Sequence, residues 1–165
     1  MLDRPALQRL FRYGFSLTHD TDSAYDLLQD ALEISLRKAP TRTDASMRYV
    51  QSIMRNRFID QYRREHRHPT VSLDDNDNQP VNIDPRVLED IVIAEHEAES
   101  IMAVLEPLER ELLFFWAVEG YTAQEIADRT DSPRGTVLSR IHRLRKKILQ
   151  QREPAGAEIE GSAAT

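Results

Sequence analysis

The 165-residue chain has no cysteine, only five glycines, one tryptophan and no apolar run long enough to cross a bilayer. Without cysteine there is no disulfide framework, thiol nucleophile or sulfur-ligated zinc, and a reducing compartment is the natural expectation. So few glycines leave no phosphate-cradling loop, and no Ser/His/Asp or paired-carboxylate constellation has a spacing that suggests catalysis. The chain is therefore expected to be neither an enzyme nor a cofactor protein. The histidines make no metal pattern either: His66 and His68 do not converge on one helix face, and His19, His96 and His142 have no neighbouring partner. Residues 1–10 carry Asp3, Arg4 and Pro5 where a signal peptide needs an apolar core, so a cytoplasmic protein without membrane insertion is expected.

Net charge is −6, which taken as an average speaks against a polyanionic partner. The distribution says otherwise. Residues 1–71 carry +3, 72–111 carry −10, 112–152 carry +4 and 153–165 carry −3. Two basic blocks joined by an acidic strap suit a protein that grips a nucleic acid at two places.

Apolar residues recur at helical spacing through the first block. Leu7, Leu10, Phe11, Gly14 and Leu17 form one stripe; Ala24, Leu27, Leu28, Ala31 and Ile34 form a second, entered through the potential caps Asp20 to Ser23. Pro40 to Asp44 marks a loop. A third stripe, Met47, Val50, Met54 and Phe58, runs into a basic end at Arg63, Arg64 and Arg67. From 68 to 84 the pattern is replaced by turn formers and acids, which reads as a linker. Asp84 before Pro85 reads as a cap opening a helix through Leu88, Ile91, Val92, Met102 and Leu105. Pro107 opens another helix, burying Leu108, Leu112, Phe115 and Trp116 and stopping near Gly120. The tail from 153 to 165 is expected to be disordered. The fold class is all-α: two small helical domains, 1–67 and 85–152, joined by an acidic flexible linker over 68–84.

The most informative segment follows Gly120. Thr122 and Glu125 have capping-box spacing, so a short helix carrying Ile126 and Ala127 inward starts there. Asp131, Ser132 and Pro133 then make a tight turn, with Ser132 expected to cap a second helix. That helix places Val137, Ile141, Leu144 and Ile148 on one side and Thr136, Ser139, Arg140, Arg143 and Lys147 on the other. Between Arg134 and Lys147 stand six Lys/Arg residues and no acid. A helix-turn-helix with such a second helix can enter a major groove, its early residues at base edges and its later Arg and Lys at phosphates.

The stretch LEPLERELLFFWAVEGYTAQEIADRTDSPRGTVLSRIHRLRKKI resembles region four of the bacterial sigma factors, and EGYTAQEIA, RGTVLSR and IHRLRKK resemble the extracytoplasmic-function group. LFRYGFSLTHDTDSAYDLLQDALEISLRK is similar to the opening helices of region two, and YVQSIMRNRFIDQYRRE to its later helix that handles the minus-ten element. The resemblance implies an alternative sigma factor that binds core RNA polymerase through the clamp helices of its largest subunit and directs promoter-specific initiation. Its implied partners are core polymerase, promoter DNA and, for many relatives, an anti-sigma factor. Docking falls to Asp26, Gln29, Asp30 and Glu33, of which Asp26, Asp30 and Glu33 make an acidic ridge at offsets of four and seven. The minus-ten element falls to Tyr49, Asn56, Arg57, Arg63 and Arg64, and the minus-thirty-five element to Arg134, Thr136, Ser139, Arg140, Arg143 and Lys147. Tyr25 stands where relatives commonly carry an acid, Thr130-Asp131-Ser132 replaces an apolar–Gly–apolar turn, and Leu138 replaces a basic residue. The alternative reading is a stand-alone LuxR-type helix-turn-helix regulator. In the same relatives the linker threads the polymerase channel that later carries RNA, so Asp74, Asp75, Asp77 and Asp84 either imitate a nucleic-acid backbone or simply solubilise a tether.

Overall fold

A computed structural model describes residues 2–38, 47–66 and 95–152. The expected loop at Pro40–Asp44, the linker over 68–84, the cap at Asp84 and the tail over 153–165 lie outside the described residues. What is described is helical: α1 (Arg4–Thr18), α2 (Thr21–Lys38), α3 (Met47–Glu65), α4 (Glu95–Val104), α5 (Pro107–Leu113), α6 (Ala123–Thr130) and α7 (Arg134–Arg152). A π-helical turn, Phe114–Val118, continues α5.

Helices α1 to α3 form a bundle. Asp3 accepts from the Ala6 amide at 2.9 Å to start α1, and Asp20 accepts from both the Ser23 amide and its hydroxyl at the head of α2. These bonds hold the Asp20 carboxyl below its ordinary range. The three expected stripes meet in the middle, with Leu10, Leu17, Ala24, Leu27, Leu28, Ala31, Val50 and Met54 buried. Ile34 is only half-buried and Ser35 takes the last inward position. At Gly14 the helices come close: a Cβ there would sit 2.9 Å from Met54 Cε, whose flexible tip would have to shift, and 3.4 Å from the Ala24 carbonyl oxygen.

Helices α4 to α7 form the second group. Every residue from Arg110 to Phe115 is buried. Six consecutive residues cannot share one face of a helix, so this stretch, from the end of α5 into its π turn, is covered on all sides. Helix α7 packs on one side of α5 and α1 of the first bundle on another. The apolar core runs continuously from Leu10 and Tyr13 through Phe115 to Ile148. Residues of the two basic blocks pack against each other across this core.

Candidate nucleic-acid interface

Helices α6 and α7 make the expected helix-turn-helix. Gly120, at φ +69°, ends the π turn in a conformation that a side chain would strain. Thr122 Oγ1 then accepts from the Glu125 amide at 3.2 Å, the amide half of the expected box. Replacing Thr122 by Ala is expected to lower stability by about 1 kcal/mol, as a shift of the denaturant midpoint without a change of slope. Asp131 carries the turn at φ 50° and ψ 46°, where an Asp is tolerated, and the Ser132 amide donates back to Ala127 O at 3.0 Å. Ser132 does not cap α7 through its hydroxyl as expected. Its Oγ donates to Thr130 O at 3.3 Å, and the first bond of α7 runs from the Val137 amide to Pro133 O. Helix α7 begins at Arg134 with the Pro133 carbonyl accepting its first bond, so Pro133 occupies the cap position and Ser132 lies one residue too early to cap it.

On α7, Val137, Ile141, Leu144 and Ile148 are the buried residues, the stripe read from the sequence. At roughly 1.5–3 kcal/mol for each fully buried aliphatic side chain, that stripe fixes which way the helix faces. Arg134 and Arg143 are exposed, and Thr136, Ser139 and Arg140 half-buried beside them. Ser139 Oγ donates to Gly135 O at 3.1 Å, and a Cβ at Gly135 would meet nothing within 4 Å. Lys147 is turned toward the protein, its Nζ 2.9 Å from Glu109 of α5.

The first bundle presents the other sequence-read residues on its surface. Asp26, Gln29, Asp30 and Glu33 are all exposed on α2, next to Tyr25, which is 57% exposed with its ring 4.4 Å from that of Phe11. Asn56, Arg57, Arg63 and Arg64 are exposed on α3, while Tyr49 is half-buried. Arg57 bonds Asp30 at 2.8 Å, so a residue read for DNA and one read for polymerase are cross-linked by an exposed ion pair.

What the sequence did not show is the polar cluster between the two helical groups. Glu111, 3% exposed, accepts from the Tyr13 hydroxyl at 2.6 Å and from Arg55 Nε at 3.1 Å. Its neighbour Arg110 donates to the carbonyls of Ser16 and Leu17 at the end of α1, both at 2.8 Å, and to Leu105 O at 2.6 Å. Arg129, stacked 4.2 Å over Tyr121, donates to Gln51 of α3 at 3.2 Å, and Arg9 pairs with Glu119. Aromatic rings flank the cluster, with Tyr13 stacked 5.3 Å from Phe115 and 5.8 Å from Phe114. Burial, then the adjacent Glu111 carboxylate, pushes the Tyr13 phenol well above its ordinary value, so it stays neutral and donates. Among the described residues no group of three or more His, Cys, Asp and Glu side chains is placed to hold a metal ion, and no helix is long and apolar enough to cross a membrane.

Comparison with known proteins agrees with this geometry. Residues 95–148 match the family "Sigma-70, region 4", a span that starts with α4 and ends on the last buried residue of α7. Among solved structures, the sigma factor RpoE from Bartonella quintana, crystallised with the anti-sigma factor NepR, matches with a TM-score of 0.63 and 22% identity, over 92% of this chain and 94% of that one. The match extends across both helical groups and shows the same fold. Residues 95–148 thus match a sigma-70 region 4, and the chain as a whole has the all-α fold of a solved sigma factor.

Proposed function

We propose that the chain is a sigma factor of the extracytoplasmic-function group, which joins core RNA polymerase in the cytoplasm, without catalytic chemistry of its own, and places it at promoters by reading two elements with two helical domains. In this reading Asp26, Gln29, Asp30 and Glu33 of α2 meet a basic surface on the polymerase clamp. Tyr49, Asn56, Arg57, Arg63 and Arg64 of α3 take the unpaired minus-ten strand, where cations and an aromatic ring suit single-stranded DNA. Helix α7 takes the minus-thirty-five duplex through Arg134, Thr136, Ser139, Arg140 and Arg143, with Lys147 at its edge. A partner of the anti-sigma class is proposed by analogy with the RpoE–NepR crystal.

The observation that carries the reading is α7: its apolar stripe is buried in region 4, which directs Arg134 and Arg143 outward at groove-helix spacing. Replacing Arg140 and Arg143 together by Ala is expected to cost about 1–3 kcal/mol per lost base contact, or one unit of salt slope per lost phosphate contact. In practice minus-thirty-five duplex binding falls tenfold or more, with the thermal midpoint unmoved. Undiminished affinity in that variant, at low and high salt, would remove α7 from the DNA.

A further inference from the structure

Where α1, α3, the π turn and α6 meet, a crevice of about 140 Å³ opens. The buried side chains of Tyr13 and Phe115 line part of it, and Arg48, Gln51, Arg55 and Arg129 line most of the rest. Three guanidinium cations in so small a space repel one another, and long charged side chains left to themselves turn their heads out into water. The helices gather them here. Arg48, Gln51 and Arg55 stand at offsets of three and seven along α3 and share one face, and the bond from Arg129 to Gln51 brings α6 against that face.

The lining is rich in hydrogen-bond donors that have nothing to donate to. Arg55 gives its Nε to Glu111 at 3.1 Å, and its two terminal nitrogens make no bond among the described residues. Arg129 spends Nη1 on Gln51 Oε1 at 3.2 Å and lies 4.2 Å over the Tyr121 ring, which fixes its plane and leaves Nη2 over. Gln51, 6% exposed, is oriented by that same bond, and its Nε2 has no acceptor among the described residues. Arg48 is exposed and has no hydrogen-bond or ion-pair partner among them. Asp128 is the one carboxylate of the lining; it is exposed, and its Oδ1 already accepts from Gln124 at 3.0 Å. Surplus donors and surplus positive charge are completed by a ligand that is negative and accepts only.

We propose that this crevice binds the phosphate end of a small anion, in the class of inorganic phosphate, pyrophosphate and the terminal phosphates of a nucleotide. Phosphate oxygens accept from several directions at once, and guanidinium forks match them with paired N–H···O bonds. Arg48 and Arg55 reach the anion from α3, Arg129 reaches it from α6, and the Gln51 amide takes an oxygen between them. A planar carboxylate has too few oxygens for donors converging from two helices. Size sets the other limit. Pockets that enclose a whole drug-sized molecule run to ~300–1,000 Å³, so only the charged end fits here, and a nucleoside attached to it stays in solvent. A ligand held by α3 and α6 together binds the folded chain alone and stabilises it by mass action.

Titration of the full chain with sodium pyrophosphate at constant ionic strength, followed by the phosphorus resonance of the ligand, is expected to show saturable one-site binding with Kd below about 1 mM. The thermal midpoint should rise as the site fills. Arg48→Glu removes an exposed cation that has no partner to lose, and should weaken binding by roughly tenfold or more with the midpoint of the unliganded chain unmoved. Lys146→Glu, at an exposed position of α7 outside the crevice, makes the same change of net charge and should alter the affinity by less than about twofold. Parallel titrations separate the sources: ATP as tight as pyrophosphate assigns the site to nucleotide phosphates, and ATP much weaker assigns it to free phosphoanions. ATP tighter than pyrophosphate contradicts a site confined to the phosphate end. Absence of saturation, unchanged affinity in Arg48→Glu or an equal loss in the two charge variants overturns the inference. So does displacement of bound pyrophosphate by a single-stranded oligonucleotide at equal phosphate concentration, because the crevice then serves a DNA backbone instead.

Discussion

Changing Asp26, Asp30 and Glu33 together to Lys is expected to lower the affinity for core polymerase by at least an order of magnitude and to leave folding nearly untouched. All three carboxylates are exposed on one side of α2, and reversing them sets like charges against the basic surface that the reading assigns to polymerase, a juxtaposition that costs several kcal/mol across an interface. Folding loses little. The Asp30–Arg57 pair has both side chains half exposed, and Glu33–Arg37 is a 3.8 Å helix pair with partners 55% and 79% exposed. Such surface pairs contribute roughly 0.2–1 kcal/mol each. The neighbouring Tyr25 and Leu36, 57% and 67% exposed, supply the apolar area that a charged ridge lacks. Titration of labelled chain with core polymerase measures this, and equal affinity in the reversed variant would take α2 out of the interface.

Phe115→Ala carries the largest expected loss of stability, about 3–5 kcal/mol, the range for removing a large buried aromatic. Phe115 is 1% exposed and sits where three parts of the chain converge: its ring stacks on Tyr13 of α1, packs against Phe114 and lies 5.8 Å from Tyr121, which leads into α6. Its carbonyl also accepts from the Tyr121 amide at 2.9 Å, and that bond survives the substitution. The loss therefore comes from the cavity and the broken ring contacts. Denaturant unfolding should show it as a lowered midpoint, and a change under about 1 kcal/mol would mean that the site collapses without cost.

Legibility in the sequence followed the range of the interactions. The apolar stripe of α7 was readable because one helix period placed Val137, Ile141, Leu144 and Ile148 together, and Asp131 in its turn because few side chains tolerate that backbone. The contact between the helical groups was not readable. Tyr13 and Glu111 are 98 residues apart, Arg110 and Ser16 are 94 apart, and Arg55 and Glu111 are 56 apart. Each of these charged residues reads locally as solvated surface, since ionised side chains are rarely buried unless paired. The π turn hid part of the same seam. A regular period counts Phe115 as core but has no place for Phe114 beside it, and the i to i+5 bond from the Glu119 amide to Phe114 O accommodates both. Ser16 and Gln51 were passed over for a related reason: both are buried, 2% and 6% exposed, on the side of the first bundle that region 4 covers.

The most direct test of the central claim is run-off transcription from genomic fragments with core polymerase, with and without this chain. The account predicts discrete transcripts that appear only when the chain is added, and that weaken when Arg140 and Arg143 are replaced by Ala or when the α2 carboxylates are reversed. A chain that binds duplex DNA yet yields no new start site with any fragment and never associates with core polymerase would contradict it.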